Sequence, residues 1–242
     1  MEQLSNRRNS KIKTWKEQLK KKSSHFLLLP GEDLLEENRD SFIPKILLST
    51  CHETLHVWAE KYALHHPELY LLTPQLLQTV CDLQHFQGIC AIGRIRKLKM
   101  PCSGRFLFLD GIQDPGNFGA IVRSCLAFEW DGIFYTSDCC SPYQSKVIRA
   151  SRGGILQIPL QKTCISAFLE NTPTNQIWIT KREGLPLKEI PLPPRPFVLV
   201  LGNEGHGPSS EWPDTCPGIW IPIREESLNV ACAATLLLHA LS

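Results

Sequence analysis

The sequence predicts an α/β protein, with a mainly parallel sheet in its C-terminal half and a smaller α/β unit ahead of it. Three observations carry this expectation. Short apolar runs at 106–109, 133–136, 176–180 and 197–201 alternate with segments of helical pattern, the spacing of β-α-β units. Several of these runs are apolar at every position rather than at every second one, so both faces of the sheet are expected to be covered. The chain closes on an Ala- and Leu-rich helix, 231–241, with no Asp, Glu, Lys or Arg inside it, and a helix so apolar is expected to be buried on several sides.

Taken in order, residues 11–22 have helical propensity and lead into a strand at 26–29 that stops at Pro30-Gly31. Strands follow at 45–49 and 69–72, helices at 54–64 and 74–83, and a closing strand at 88–95. Residues 1–95 thus form a small α/β domain, and 96–104, with Arg96, Lys97, Lys99, Pro101 and Gly104, read as a linker. The larger domain spans 105–242. Its first strand ends at Asp110-Gly111, and residues 117–125 read as a helix capped by Asn117, with Arg123 nearly two turns in. A helix is expected at 144–151, a strand at 155–159, a short helix at 165–170 and a last strand at 219–223.

Composition narrows the function classes. A net charge of +2 hides a basic leading segment, in which Arg7, Arg8, Lys11, Lys13, Lys16, Lys20, Lys21 and Lys22 face the single acid Glu17. Such a run is either a polyanion-contacting face or a solvated helix end. No apolar run reaches 18 residues and the N-terminus lacks an apolar core segment, so neither a membrane span nor a secretory leader is expected. The ten cysteines include no C-x-x-C pair, which points to reduced thiols in a cytoplasmic protein. The eight histidines show no metal-ligand spacing, and no metal site is expected. Glycines 202, 205 and 207 run G-x-x-G-x-G late in the chain, which is not the dinucleotide fingerprint.

Three loops, each following an expected strand, carry LDGIQDPGNFGAIVRSC, LVLGNEGHG and IPIREESLNVACAA. Singly, Asn117 reads as a cap, Arg123 as a solvent-facing arginine, Glu204 as a loop acid and Ser227 as another cap. Together and in this order they resemble the three motifs of the SpoU/TrmH family of RNA ribose 2′-O-methyltransferases, in the SPOUT superfamily. The first domain is similar, more loosely, to that family's ribosomal-protein-like substrate-binding domain.

The resemblance implies a C-terminal trefoil knot, S-adenosylmethionine bound by the knot loops, structured RNA (tRNA or rRNA) as substrate, and a homodimer. Carried over by position, it nominates Asn117, Arg123, Glu204, Ser227 and Asn229 as active-site residues. For the cofactor it nominates Leu201, Gly202, Ile221, Leu228, Asn229 and Val230, largely through backbone. Arg7, Arg8, Lys11, Lys13, Lys20, Lys21 and Lys22 would contact the RNA. A 2′-hydroxyl is a poor nucleophile, so methyl transfer needs in-line placement and help with the hydroxyl proton. Arg123 is nominated for that help, either as the base or as an electrostatic stabiliser. The stretch Arg224-Glu225-Glu226 departs from the glycine-containing segment usual in the family, and Glu129 stands where glycine is common. Two alternatives remain: an RNA-binding protein of the same fold without catalysis, and a SPOUT enzyme that methylates a base.

Overall fold

The computed structural model describes residues 1–6, 8–20, 26–83, 86, 88–224 and 227–242, with backbone alone at Lys20 and Arg182. Arg7, Lys21, Lys22, Glu225 and Glu226, named above, lie outside the described residues. The chain divides into two compact units, Met1–Lys97 and Leu98–Ser242.

The first unit runs β1 (Glu2–Leu4), α1 (Ser10–Lys20), β2 (Phe26–Pro30), α2 (Glu32–Glu37), β3 (Phe42–Ser49), α3 (His52–Lys61), β4 (Glu68–Leu72), α4 (Pro74–Cys81) and β5 (Ile89–Ile95). Its sheet has the order β1-β4-β3-β5-β2, parallel on the β1 side and antiparallel around β5. The patterning did not foretell β1 or α2, which at three and six residues are too short to display a period. The helix expected at 54–64 ends at Lys61, and a 3-10 turn, Ala63–His65, completes it. One apolar cluster collects Leu4 of β1, Ile12 and Trp15 of α1, and Leu48, Tyr70 and Leu77. The leading basic segment therefore belongs to this unit's core through its apolar face.

The second unit runs β6 (Arg105–Leu109), α5 (Pro115–Ala127), β7 (Gly132–Tyr135), α6 (Ser145–Ala150), β8 (Leu160–Lys162), α7 (Ile165–Leu169), β9 (Ile177–Pro186), β10 (Phe197–Leu201), β11 (Gly218–Trp220) and α8 (Val230–Ala240). The sheet has the order β11-β9-β10-β6-β7-β8, and every pairing is parallel. Every residue of β6 and of β10 is buried, as strands covered on both faces require. Phe106, Phe108, Val198 and Val200 point into one cluster with Phe168 and Trp212, while the alternate residues Leu107 and Leu199 are buried on the other face.

Three expectations need correction here. The apolar run 155–159 is not a strand: Gly153, with φ 77°, turns the chain into a 3-10 segment, Gly154–Leu156, and pairing starts only at Leu160. Ile155, Leu156 and Ile158 are buried without joining the sheet, and burial without pairing leaves the same apolar signature. The last strand stops at Trp220 rather than reaching Ile223, since Pro222 has no N–H to donate to a ladder. Helix α8 is buried on one face only, through Ala231, Ala234, Leu237 and Leu238, and leaves Leu236 48% exposed.

Candidate active site

The two central strands, β6 and β10, lie side by side in register, Leu109 against Leu201. The N–H of Asp110 donates to the carbonyl of Leu201 at 2.9 Å, so both chains leave the sheet at one level. Beyond β6 the strand order proceeds to β7 and beyond β10 to β9, so successive connections diverge at this point. A parallel sheet is open to ligands at such a reversal, outside the carboxyl ends of its strands.

The loop after β10 is held from several sides. Its first residue must be glycine: a Cβ on Gly202 would lie 1.9 Å from the backbone nitrogen of Pro208 and 2.1 Å from the carbonyl carbon of Gly207. Asn203 and Gly207 exchange both backbone hydrogen bonds, at 3.0 and 2.9 Å. The Asn203 amide donates to the carbonyl of Gly111 at 2.8 Å, and its Oδ1 accepts from the backbone of Gly205 at 2.9 Å. Asp110, only 7% exposed, accepts from the N–H of Ser209 at 2.7 Å and from Trp212 Nε1 at 3.0 Å. The residues after β6 and after β10 thus form one locked layer.

Helix α5 begins beside it, and the cap differs from the expectation. Asp114, not Asn117, is the N-cap: its Oδ1 accepts from the Asn117 N–H at 2.8 Å, and Pro115 opens the helix where no N–H is needed. That backbone bond, opposed by a smaller desolvation effect and aided by Lys146, lowers the Asp114 pKa below its ordinary value. Relieved of capping, Asn117 turns its side chain to the other two motifs. Its Nδ2 donates to Glu204 Oε1 at 3.0 Å, and its Oδ1 accepts from Asn229 Nδ2 at 3.0 Å.

Asn229 caps α8, its Oδ1 accepting from the N–H groups of Ala231 at 2.9 Å and Cys232 at 3.3 Å. Both ends of this chain fix its direction. Backbone donors demand the Asn229 oxygen and the Glu204 carboxylate demands the Asn117 nitrogen, so each amide has one consistent orientation. Glu204 also receives the N–H groups of Gln113 at 3.5 Å and Asp114 at 3.4 Å, long contacts that tie the second motif to the start of the first. Exposed hydrogen bonds of this kind each contribute on the order of 1 kcal/mol, so the network acts chiefly by placing three loops.

Of the nominated residues, the structure brings together Asn117, Glu204 and Asn229. Arg123 is exposed on α5, and no hydrogen bond among the described residues joins it to that network. It lies next to Ser124, whose Oγ shares a 2.7 Å hydrogen bond with Thr235 Oγ1 of α8. Ser227 is exposed, as is Leu228 at 38%. Leu201 and Gly202 are buried, while Ile221 and Val230 are half-buried. In the leading segment Arg8 and Lys13 are exposed, whereas Lys11 is paired with Glu2 at 2.5 Å and with the Tyr70 hydroxyl at 2.9 Å.

Asp110 and Asn203 were missed as site-building residues. A carboxylate directly after a continuously apolar strand was the available signal for Asp110. A cavity of about 350 Å³ in this unit lies elsewhere, lined by Phe106, Phe134, Phe168, Gln176 and Val198 among others, and none of the motif residues borders it. No group of three or more His, Cys, Asp or Glu that could hold a metal occurs among the described residues.

A wholly parallel sheet whose switch-point loops gather amide, carboxylate and backbone groups defines the class of α/β proteins that bind a ligand outside their central strands. More particularly, the chain belongs to the SpoU rRNA Methylase family, which matches residues 104–239. It is 27% identical over 252 residues to the 23S rRNA (guanosine(2553)-2′-O)-methyltransferase RlmP of Bacillus subtilis, covering 100% of this chain and 99% of that protein. It is 33% identical over 145 residues to a 23S rRNA (adenosine(1067)-2′-O)-methyltransferase of Streptomyces azureus, 56% of this chain and 53% of that one. The AdoMet-bound rRNA methyltransferase of Sinorhizobium meliloti shares the fold, with a TM-score of 0.88 at 22% identity over 99% of this chain and 96% of that one.

Proposed function

We propose that this chain transfers a methyl group from S-adenosylmethionine to a ribose 2′-hydroxyl of ribosomal or transfer RNA. The observation that carries the reading is the hydrogen-bonded line Glu204–Asn117–Asn229, which joins the loops after β6 and β10 to the start of α8 at the sheet's switch point. Full-length similarity to a ribosomal RNA 2′-O-methyltransferase supports it.

The residues present fit the cofactor. Leu228 and Ile223 expose 38% and 37% of their surface beside the motif loops, apolar cover suited to an adenine ring. Glu204 supplies the carboxylate oxygens that a sulfonium charge favours. Leu201, Gly202, Ile221, Leu228, Asn229 and Val230 would hold it, and when bound it supplies an electrophilic methyl group. Asn117 and Asn229 keep the loops in one geometry, and Ser227 would complete the same site.

Arg123 is the one long cationic side chain on α5. A guanidinium is not readily deprotonated, so its role is to grip the phosphate next to the target ribose and offset charge growing on the 2′-oxygen, the proton passing to that phosphate or to water. The reading includes a trefoil knot around the C-terminal chain, a homodimer, a cytoplasmic setting and selection of the RNA by the domain of residues 1–95, joined through 96–104 to the methyltransferase domain of 105–242. No helix among the described residues is long and apolar enough to cross a membrane.

Replacing Arg123 tests the chemistry. Arg123→Ala should lower methyl transfer from labelled S-adenosylmethionine to ribosomal RNA by about 100-fold or more. Its affinity for S-adenosylmethionine by calorimetry should stay within a few-fold of the parent. Retained turnover removes Arg123 from the mechanism, and no cofactor binding by the parent chain overturns the reading.

A further inference from the structure

A stretch of the second unit that carries bases and no acid lies beside the motif network. No acid occurs between Asp138 and Glu170, a stretch that contains Lys146, Arg149, Arg152 and Lys162. Lys146 and Arg149 are both exposed on α6. Residues three apart share one helix face, with Cβ atoms roughly 5–6 Å from each other.

Two contacts fix where this face looks. Lys146 Nζ lies 3.5 Å from Oδ2 of Asp114, the cap of α5, so the stripe is on the side of the α5 N-terminus. Farther along, α5 and α6 touch at glycine: a Cβ on Gly119 would lie 2.5 Å from Cβ of Ala150, the neighbour of Arg149. Arg123 follows Gly119 by one turn. From the line that meets α6 at Gly119 to the line that meets α8 at Ser124 and Asn117, the surface of α5 carries Gly116, Ala120, Arg123 and Ala127. These residues are half-buried or exposed. The result is a low floor of small side chains with Arg123 rising from it, bordered at the α5 N-terminus by Lys146, with Arg149 one turn farther along the exposed face of α6.

Its chemistry selects the partner. None of the large exposed apolar side chains among the described residues lies between Thr136 and Lys162, so α6 itself offers neither the apolar centre of a protein interface nor the anchors of a membrane surface. A line of fixed cations ending at polar groups that would place a ribose suits a nucleic-acid backbone. We propose that Lys146 and Arg149 take successive phosphates of the RNA strand that carries the target nucleotide and lead it to Arg123. This rests on the RNA-methylating reading above and locates the strand on the second unit.

The test uses the full chain and a fluorescein-labelled 20-nucleotide RNA hairpin, titrated at several salt concentrations. The double variant Lys146→Gln/Arg149→Gln should flatten the slope of log affinity against log salt by about 1.5, two contacts at roughly 0.7–0.9 each. Lys146→Arg/Arg149→Lys, which keeps both charges, should restore it. Calorimetric affinity for S-adenosylmethionine should be the same in all three proteins, which separates the effect from misfolding or a damaged cofactor site. If the parent binds the hairpin with a steep slope and the glutamine variant keeps that slope, the stripe is not the track, while the RNA reading stands. If the parent binds no RNA, both fail.

Discussion

Asn229 performs two tasks with two different atoms, and the tasks can be separated. Its oxygen caps α8 and its nitrogen orients Asn117. Asn229→Ala should lose both, at about 1 kcal/mol for the cap. Asn229→Asp keeps an acceptor at the helix start, where a negative charge is favourable, but turns an oxygen toward Asn117 Oδ1 close to Glu204. The aspartate variant should therefore melt no lower than the parent by circular dichroism, yet lose at least about tenfold in methyl-transfer rate, as misplacement of a site can cost more than that. An aspartate variant that keeps both its melting temperature and its methyl-transfer rate would reduce Asn229 to a capping residue. The three polar residues of this network were legible as a set because each follows an apolar run. Their mutual bonding was not, since Asn117 is as good a cap as Asp114 by type and only the proline between them decides which serves.

At the scale of elements, the second unit depends on α5 and α8 holding one alignment. Their starts meet through Asn117 and Asn229, their middles through Ser124 and Thr235, and their ends through Trp130 Nε1 and the Leu238 carbonyl at 3.2 Å. Arg105, only 6% exposed at the head of β6, donates to the carbonyls of Glu129 at 3.1 Å, Phe128 at 3.4 Å and Leu241 at 3.5 Å. A cation at two helix C-termini complements both the unpaired carbonyls and the helix dipoles. Burial, reinforced by nearby Arg195, lowers its pKa from the usual arginine range. Arg105→Met fills similar space and leaves those carbonyls unmet, so it should cost about 2–3 kcal/mol, read as a lower urea midpoint with an unchanged slope. No change in midpoint would show the staple to be idle. The strand run after Arg105 was readable from its hydrophobicity, but the role of the arginine was not, because nothing local marks a side chain that serves residues 136 positions away.

For the whole molecule, alternating apolar runs located the parallel sheet and most of its helices. They failed where burial and pairing part company, as at 155–159, or where an element spans too few residues, as in β1 and α2. The leading segment shows the same limit: its charges were visible, but not that Leu4, Ile12 and Trp15 build the core of the first unit. Truncating residues 1–22 would therefore remove core as well as charge, and changing the exposed Arg8 and Lys13 is the cleaner probe of that segment. If three distant motifs form one site for ribose methylation, nucleoside mass spectrometry of ribosomal and transfer RNA incubated with this protein and S-adenosylmethionine should show a new 2′-O-methylated nucleotide, lost with Arg123→Ala. A base-methylated product, or no product, would rule that site out.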